Sequence, residues 1–390
     1  MRLALLTHEP FYPPSGGGSA EAVYLINEFT RRGHEVHLFC PDFPDRSTMA
    51  GRFSITVHPF TNWKMGRHTR LRSLKYLAYP SALRRLVRRA AREIEFDAVL
   101  SQHAISSVAA GRLKTDLGVP VVMNFLDFLT GFMESWPRWT IPHLLLHRLM
   151  AYELSLPKRH NADAVLTVSD ELSRRFAETG YDTDRLHPIH YGLDATLFQP
   201  GTANRELGTI AMHGSFDTHH LGPIAERAIV DIALARPETR FLFIGTETNE
   251  LKTLAKRVRA DAPLVKLECT GFVPYAEVAG RLGQAGVGII PYEPSAGAHC
   301  AFVAKLVEYA ALGLPVVSTP LAGVKAFFDG EPSVRFSAFD GGTFARDVLD
   351  VLDNPPPQTE LERLAKRVAV ELDWPVICAQ AVDQVEAVIS

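Results

Sequence analysis

Two charged side chains near position 305 have the types and the spacing that bind a nucleotide. Lys305 and Glu308 are three residues apart, so in a helix they lie on one face. Gly313 and Pro315 end that helix, and Val316 begins a strand. A lysine near a helix N-terminus can hold phosphate, and a glutamate can accept hydrogen bonds from ribose hydroxyls. The alternative is an exposed ion pair, worth ~0.2–0.5 kcal/mol.

A glycine run near the N-terminus has the composition of a phosphate-binding loop. Gly16, Gly17 and Gly18 precede Ser19, which can cap a helix. Backbone N–H groups at such a turn can cradle a phosphate or a developing leaving group. The dinucleotide fingerprint G-x-G-x-x-G is incomplete because its last position is Glu21, so an NAD site is not expected. A flexible turn is the alternative.

Further candidates follow predicted strands in the second half of the chain. Gly214 and Ser215 come directly after one strand, and Gly245 after another. Such turns can present backbone donors to a diphosphate, although a plain strand-to-loop turn looks the same in sequence. Tyr275 and Tyr292 could border a nucleobase or a sugar, with simple packing as the equal alternative.

Four histidines in this half raise the question of a metal. His213, His219, His220 and His299 are spread over 87 positions, and only two of them are adjacent. Adjacent side chains diverge on a helix, and the sequence shows no acid with the spacing of a metal ligand. No metal site and no cofactor is therefore expected.

Length and composition are those of two globular domains. The chain has 390 residues, 46% of them hydrophobic, and a net charge of −3, so no global field points to nucleic acid. Its four cysteines form no CxxC pair, which favours buried thiols in a reducing compartment over disulfides or zinc. Neither a signal peptide nor an apolar run long enough to cross a membrane is visible. A cytoplasmic location is predicted, with contact to the inner face of the cytoplasmic membrane left open.

Short apolar runs alternate with helical segments, the pattern of parallel α/β units. Ligands in such sheets bind beyond the carboxyl ends of the strands. Ser169 can cap a helix, Pro355–Gln358 is predicted to be a hinge or linker, and the last helix spans about Trp374–Ile389. The predicted strands of the first sheet are Leu3–Leu6, Val36–Phe39, Ala98–Ser101, Val119–Met123 and Ala164–Val168. Those of the second include Ile210–His213, Phe241–Ile244 and Val287–Ile290.

Several of these segments, in this order, resemble the motifs of glycosyltransferases of the GT-B fold. They are the loop at 8–18, a Gly-x-Asp-x-x-x-Phe-x-Pro link at 192–200, the loop Gly271–Tyr275 and the helix that carries Lys305. The resemblance implies two facing Rossmann-like domains with parallel sheets and a cleft between them. It places an acceptor domain at 1–200, a nucleotide-sugar domain at 201–370 and a helix that crosses back at 371–390.

What the resemblance implies for the donor is a UDP-sugar, bound without an obligatory metal. The donor-binding residues that it implies are Lys305, Glu308, Gly214, Ser215, Gly245, Val273, Tyr275 and Tyr292. The acceptor or phosphate loop would include Gly16, Gly17, Gly18 and His103.

The expected chemistry depends on Asp127. Many retaining GT-B enzymes have a histidine where this chain has Leu126, and a glutamate where it has Cys300. In these departures the chain is similar to the inverting glucuronosyltransferase of the xanthan pathway. Inversion needs a base for the acceptor hydroxyl, and Asp127 is the predicted base, with Glu134 and His103 as weaker choices. A retaining transferase, a nucleotide-sugar 2-epimerase of the same fold and a non-catalytic sensor remain open.

The segment Lys64–Arg92 is strongly basic. It holds ten lysines and arginines and no acid, with aromatic residues between them. An anionic membrane surface or a lipid-diphosphate acceptor would suit this composition, at ~1 kcal/mol per basic residue near the surface. The loop 125–139 is rich in aromatic residues as well. The alternative is a solvated basic helix, predicted over Pro80–Glu95, whose apolar stripe, which includes Leu83 and Val87, packs on the sheet.

Overall fold

The chain divides into two compact units. The computed structural model describes residues 1–9, 11–12, 18–61, 72–136, 140–201 and 205–389, and their side chains except at 18, 19 and 72–76. The first unit comprises Met1–Thr130, His143–His190 and Pro375–Ser390, and the second comprises Gly131–Pro142 and Tyr191–Trp374. The segment 131–142, placed in the first domain by its position in sequence, thus groups with the second unit.

The first unit is built on a parallel sheet of seven described strands in the order β3-β2-β1-β4-β5-β6-β7. Its five inner strands are buried on both faces, as their runs of apolar residues dictate, whereas the edge strands β3 and β7 are only partly buried. The strands are β1 (Arg2–Leu6), β2 (Glu35–Pro41), β3 (Thr56–Phe60), β4 (Ala98–Gln102), β5 (Val121–Phe125), β6 (Ala164–Thr167) and β7 (Leu186–Pro188). The helices are α1 (Gly18–Arg31), α2 (Arg46–Phe53), α3 (Arg72–Ala90), α4 (His103–Leu117), α5 (His143–His160) and α6 (Asp170–Glu178).

The strand order fixes which helices share a face. The chain moves one way from β1 to β3 and the other way from β4 to β7, and crossovers between parallel strands are right-handed. The helices α3, α4, α5 and α6 therefore lie on one face of this sheet, and α1 and α2 on the other. Contacts of α3 with α4, and of α4 with α5, agree with this layer.

The second unit has a parallel sheet of six described strands in the order β10-β9-β8-β11-β12-β13. Two parallel Rossmann-like sheets confirm the predicted fold class. The strands are β8 (Glu206–His213), β9 (Arg240–Ile244), β10 (Lys266–Cys269), β11 (Ala285–Ile290), β12 (Val316–Ser318) and β13 (Val334–Phe336). The helices are α7 (Pro223–Ala235), α8 (Asn249–Asp261), α9 (Tyr275–Leu282), α10 (Ala296–Cys300), α11 (Ala304–Ala311), α12 (Ala322–Phe328), α13 (Gly341–Asp353) and α14 (Gln358–Glu371).

The last helix, α15 (Trp374–Ala387), belongs to the first unit from Pro375 onward. Arg32 donates to Asp383 at 2.6 Å and to Glu386 at 2.8 Å, which ties α15 to the end of α1. Among the residues that the structure describes, no helix combines the length and hydropathy that crossing a bilayer requires.

Three local predictions differ from the structure. The basic helix begins at Arg72 and carries Pro80 in its interior, whereas the sequence suggested a start at Pro80. Ser19 lies inside α1 rather than before it. The segment Pro355–Pro357 is a short turn between α13 and α14 within one unit, so it is not a linker between domains. The Ser169 cap is confirmed, since its Oγ accepts from the backbone N–H of Leu172.

Candidate functional site

Two glycines at the carboxyl edge of the second sheet allow its backbone turns to approach closely. Gly214 follows β8 with φ +101°, and Gly245 follows β9 with φ +153°, a conformation that other residues rarely adopt. A Cβ on Gly245 would lie 2.2 Å from the carbonyl oxygen of Gly214. The predicted positions Gly214 and Gly245 are thus adjacent in space, and each requires glycine.

Lys305 lies beside this glycine pair. It is the second residue of α11, and a Cβ on Gly214 would be 2.8 Å from its Cε. Its Nζ donates to the Tyr292 hydroxyl at 2.7 Å and lies 3.3 Å from Nε2 of His220. The ammonium group is therefore held at the helix N-terminus, where the helix dipole also favours an anion.

An acid that sequence reasoning missed organises two of the histidines. Asp217 Oδ1 lies 2.6 Å from Nδ1 of His219 and 2.7 Å from Nδ1 of His220. Burial would raise the pKa of Asp217, but hydrogen bonds from the two imidazoles hold it below its usual range. Burial and the charge of Lys305 lower the pKa of His220 to about 3. The sequence analysis found no acid with the spacing of a metal ligand, but Asp217, two and three residues before these histidines, contacts both of them.

Asp217, His219 and His220 are also side chains of the types that bind metals, and their ligand atoms lie within 4.8 Å of one another. The hydrogen-bond pattern fits a different role. A neutral His220 that donates Nδ1–H to Asp217 leaves Nε2 as an acceptor for the ammonium group of Lys305. A metal on Nδ1 would place a hydrogen on Nε2, facing that ammonium group. The cluster is therefore best described as a cradle that orients Lys305.

Glu308 is buried, so it is not part of an exposed ion pair. Its carboxylate contacts Nε2 of His213, whose Nδ1 lies 3.1 Å from the Tyr309 hydroxyl. That hydroxyl also accepts from the backbone N–H of His213 at 3.2 Å. If Nε2–H of His213 donates to Glu308, then Nδ1 accepts from Tyr309 and every group has a partner. His213 and Tyr309 thus fix the orientation of Glu308.

The remaining donor-side predictions lie at the same edge of the second sheet. Gly245 and Gly271 form an isolated bridge, which places the loop containing Val273 beside the Gly214–Gly245 turns. Tyr275 begins α9 and its ring packs 5.4 Å from that of Phe198. Ser215 is exposed.

The first unit has a buried polar cluster at the carboxyl edge of its own sheet. Glu21, in the first turn of α1, accepts from Nε2 of Gln102 at 2.7 Å and from Nδ2 of Asn124 at 2.9 Å. Gln102 ends β4 and Asn124 lies in β5. Burial raises the pKa of Glu21 to about 7, because two neutral amides offset only part of the desolvation. The position of Glu21 shortly after a glycine run was the one signal in the sequence that pointed to this cluster.

His103 stands next to this cluster with a strained backbone. It is the first residue of α4, and its φ of +65° is uncommon for a residue with a side chain. Its ring meets that of His8 edge-on at 5.3 Å, and burial lowers its pKa. Gly18 begins α1, whereas Gly16 and Gly17 lie outside the described residues.

The two acids considered as bases have different settings. Asp127 is half-buried, two residues beyond β5, between the buried side chains of Leu126 and Phe128. Glu134 belongs to the second unit, where its Oε2 accepts from the backbone N–H of Ala296 at 2.6 Å. It therefore helps to hold the start of α10.

The start of the basic segment, with Lys64, Arg67 and Arg70, lies outside the described part of the chain, and the side chains of Arg72 and Lys75 are not described either. At the C-terminal end of α3, Arg84, Arg85, Arg88, Arg89 and Arg92 line a groove of about 470 Å³. Arg84 donates to both oxygens of Asp116 at 2.6 and 2.7 Å. Arg85, Arg88, Arg89 and Arg92 face solvent.

Comparisons with known proteins agree with this architecture. The model of Glycosyltransferase Family 4 matches residues 15–197, and the model of Glycosyl transferases group 1 matches residues 210–354. A GDP-mannose-dependent alpha-mannosyltransferase of Mycolicibacterium smegmatis is 24% identical, with the match covering 100% of this chain and 98% of the relative.

Solved structures share the fold at low identity. Sucrose-phosphate synthase from Thermosynechococcus elongatus superposes with a TM-score of 0.78 at 15% identity, covering 99% of this chain and 98% of that one. HepE of Anabaena, in complex with UDP, has a TM-score of 0.72 at 16% identity, covering 99% and 100%. With glycosyltransferase models on both parallel-sheet units, the chain belongs to the glycosyltransferases of the GT-B fold and takes its sugar from a sugar nucleotide.

Proposed function

We propose that the carboxyl edge of the second sheet binds the diphosphate of the donor through Lys305. The observation that carries this proposal is the ammonium group at the start of α11, held by Tyr292 and His220 against Gly214. As the sugar leaves, negative charge grows on the diphosphate, and a preorganised cation there lowers the barrier without reorganisation. The N–H groups of the adjacent glycine turns can add backbone donors.

Glu308 is proposed to bind the ribose hydroxyls of the donor. Its carboxylate is oriented by His213, and one carboxylate can accept several hydrogen bonds at once. The loop Gly271–Tyr275 is proposed to border the nucleobase, as the family resemblance implies. No metal is assigned a role, because Lys305 and the helix N-terminus together supply the positive charge that a diphosphate needs.

The sequence predicts a UDP-sugar, but we now propose GDP-mannose as the first donor to test. The mannosyltransferase of M. smegmatis is named for GDP-mannose, and it matches this chain from end to end. HepE, which was solved with UDP, shares only the fold at 16% identity. A relative that matches over the full length is a stronger guide to the nucleotide than a structure that shares only the fold.

We propose that the transfer retains the anomeric configuration. GDP-mannose holds its mannose in the α configuration, and the relative is named an alpha-mannosyltransferase, so that enzyme retains. In a retaining transfer the donor's own leaving oxygen can take the acceptor proton on the same face of the sugar. Inversion with Asp127 as base is the second candidate, favoured by Leu126 and Cys300 in place of the residues common in retaining relatives.

The acceptor is proposed to be a hydroxyl of a glycan or a lipid-linked glycan that binds the first unit. The carboxyl edge of its sheet carries the half-buried Asp127 together with the buried cluster of Glu21, Gln102 and Asn124, and the Asp127 carboxylate can accept hydrogen bonds from hydroxyls. The exposed arginines of α3 favour an acceptor near an anionic membrane surface.

The experiment pairs donor binding with turnover. Thermal shifts with GDP, UDP, GDP-mannose and UDP-glucose identify the nucleotide, since a ligand at 100 times its Kd stabilises by ~2.7 kcal/mol. Incubation of the preferred donor with and without a membrane glycolipid extract then separates the activities. A transferase releases nucleotide only with acceptor, whereas a 2-epimerase converts the donor alone. NMR of the product gives its anomeric configuration.

A further inference from the structure

One helix of the first unit leaves a wide apolar face uncovered. On α5, Leu144 is 67% exposed and Leu145 49%, and Leu149 and Tyr152 are exposed on the same side. The opposite side of α5, with Leu146, Met150 and Pro157, is buried in the unit. The exposed apolar face of α5 is therefore separate from the face that packs the helix onto the first unit.

The polar residues around this face are basic. Arg148, Lys158 and Arg159 are exposed on α5, and the guanidinium of Arg159 stacks over the Tyr152 ring at 5.2 Å. The only acid of α5, Glu153, is buried and accepts from the backbone N–H groups of Leu129 and Thr130 at 2.9 and 2.8 Å. The exposed face of α5 thus carries leucines, a tyrosine and cations, and no anion.

The neighbouring helices extend the positive charge. Because α3, α4 and α5 are adjacent in one layer, Arg112 of α4 and the exposed arginines of α3 share the outer surface with α5. Asp116, the acid of this layer that faces α3, is engaged by Arg84. Like charges oppose the pairing of this surface with a second copy of the chain. An anionic surface that can also bury leucine side chains suits both the positive charge and the exposed leucines.

We propose that the exposed face of α5 inserts into the interface of an anionic lipid bilayer, with the arginines of α3 and α4 on the headgroups. Leucines and a tyrosine beside cations are the composition of interfacial helices, whose apolar face lies at the boundary between headgroups and acyl chains. The inference extends the membrane contact proposed for α3. The leucine contact and the arginine contact are tested with separate variants, so either can fail alone.

The test is sedimentation of the full chain with sucrose-loaded vesicles of phosphatidylcholine alone or mixed with phosphatidylglycerol. Wild-type protein is expected to bind the anionic vesicles, and less at high salt. The triple variant Leu144→Ser, Leu145→Ser, Leu149→Ser should lose partitioning by more than about tenfold, since burial of each leucine favours the membrane. The control Leu207→Ser, Leu234→Ser, Leu264→Ser removes three exposed leucines of the second unit and should bind as wild type.

A second variant tests the charge. Arg85→Gln, Arg88→Gln, Arg89→Gln should bind anionic vesicles more weakly and with a smaller dependence on salt. Nucleotide binding of every variant should equal that of wild type, which separates this inference from the proposed donor site. Unchanged vesicle binding of the leucine variant would overturn the proposal. So would a concentration-dependent dimer in gel filtration that the leucine variant abolishes, because a second copy would then cover the face.

Discussion

Substitution of the single carboxylate of Asp127 distinguishes inversion from retention, because only inversion needs it as a base. A general base contributes about 10²–10⁴ in rate, so inversion cannot tolerate its loss. Under the retention proposed here, Asp127→Asn should keep turnover within about tenfold of wild type. Turnover with the preferred donor and calorimetry of the nucleotide check this. A fall of a hundredfold or more at unchanged nucleotide affinity, ~2.7 kcal/mol of barrier, would instead assign Asp127 as the base.

Glu21 gives the first unit a pH-dependent stability. Its pKa in the folded chain is about 7 against an ordinary 4.5, so the folded state binds a proton more tightly than the unfolded state. The free energy of unfolding should therefore fall as pH rises from about 4.5 to about 7, then level off. Glu21→Gln removes this dependence, so its stability relative to wild type should rise between pH 5 and pH 8.

Urea unfolding of the full chain at both pH values measures the effect. Glu28→Gln on the same helix is the matched control, because a hydrogen bond from Arg31 holds the pKa of Glu28 below its ordinary value. Its contribution is constant over pH 5–8 and is lost only in acid. A relative stability of Glu21→Gln that does not change with pH would show that the Glu21 carboxyl is ionised throughout.

At the scale of elements, the turns after β8 and β9 form a unit that only glycine can build. Gly245→Ala places a methyl group 2.2 Å from the Gly214 carbonyl oxygen, at a backbone conformation of φ +153°. One of the turns must shift, so the variant should lose nucleotide affinity and stability together.

A second glycine provides the control for this change. Gly280 lies within α9 with open space at the Cβ position. Gly280→Ala should stabilise the chain by about 0.5–1 kcal/mol, as alanine does in a helix, and leave nucleotide binding unchanged. If both variants bind nucleotide equally, the turns after β8 and β9 do not form the donor site.

Local sequence patterns predicted the inner strands of both sheets because buried parallel strands read as short apolar runs. They missed the edge strands β3, β7, β10 and β13, which are only partly buried. They failed for α3, where the helix continues through Pro80 although proline ordinarily marks a first turn. They also failed for 131–142, whose place in the second unit depends on packing, as in the bond from Ala296 to Glu134.

The candidate sites show the same limit. Lys305 and Glu308 were found because they stand three residues apart on one helix. The partners that orient them, His220 and His213, are 85 and 95 positions away, and Gln102 and Asn124 are 81 and 103 from Glu21. Contacts at such separations follow from the strand order, which brings the carboxyl ends of neighbouring strands to one edge, and not from local spacing.

The net charge of the whole molecule does not indicate the basic surface of the first unit that is proposed to bind a partner. The chain carries −3 overall, yet the outer layer of the first unit has exposed arginines on three neighbouring helices. The proposed binding to an anionic membrane therefore depends on local charge and on the leucines of α5, and would not be expected from the net charge of the chain.

In the proposed donor site, the second unit holds the diphosphate through Lys305. Calorimetric titration of GDP and UDP into wild type, Lys305→Ala and Lys256→Ala tests it directly, because Lys256 is an exposed lysine of α8 in the same unit. Lys305→Ala should weaken nucleotide binding by ~1.5–3 kcal/mol, the scale of a hydrogen bond to a charged group, while Lys256→Ala binds as wild type. Equal affinity of Lys305→Ala and wild type would contradict the claim.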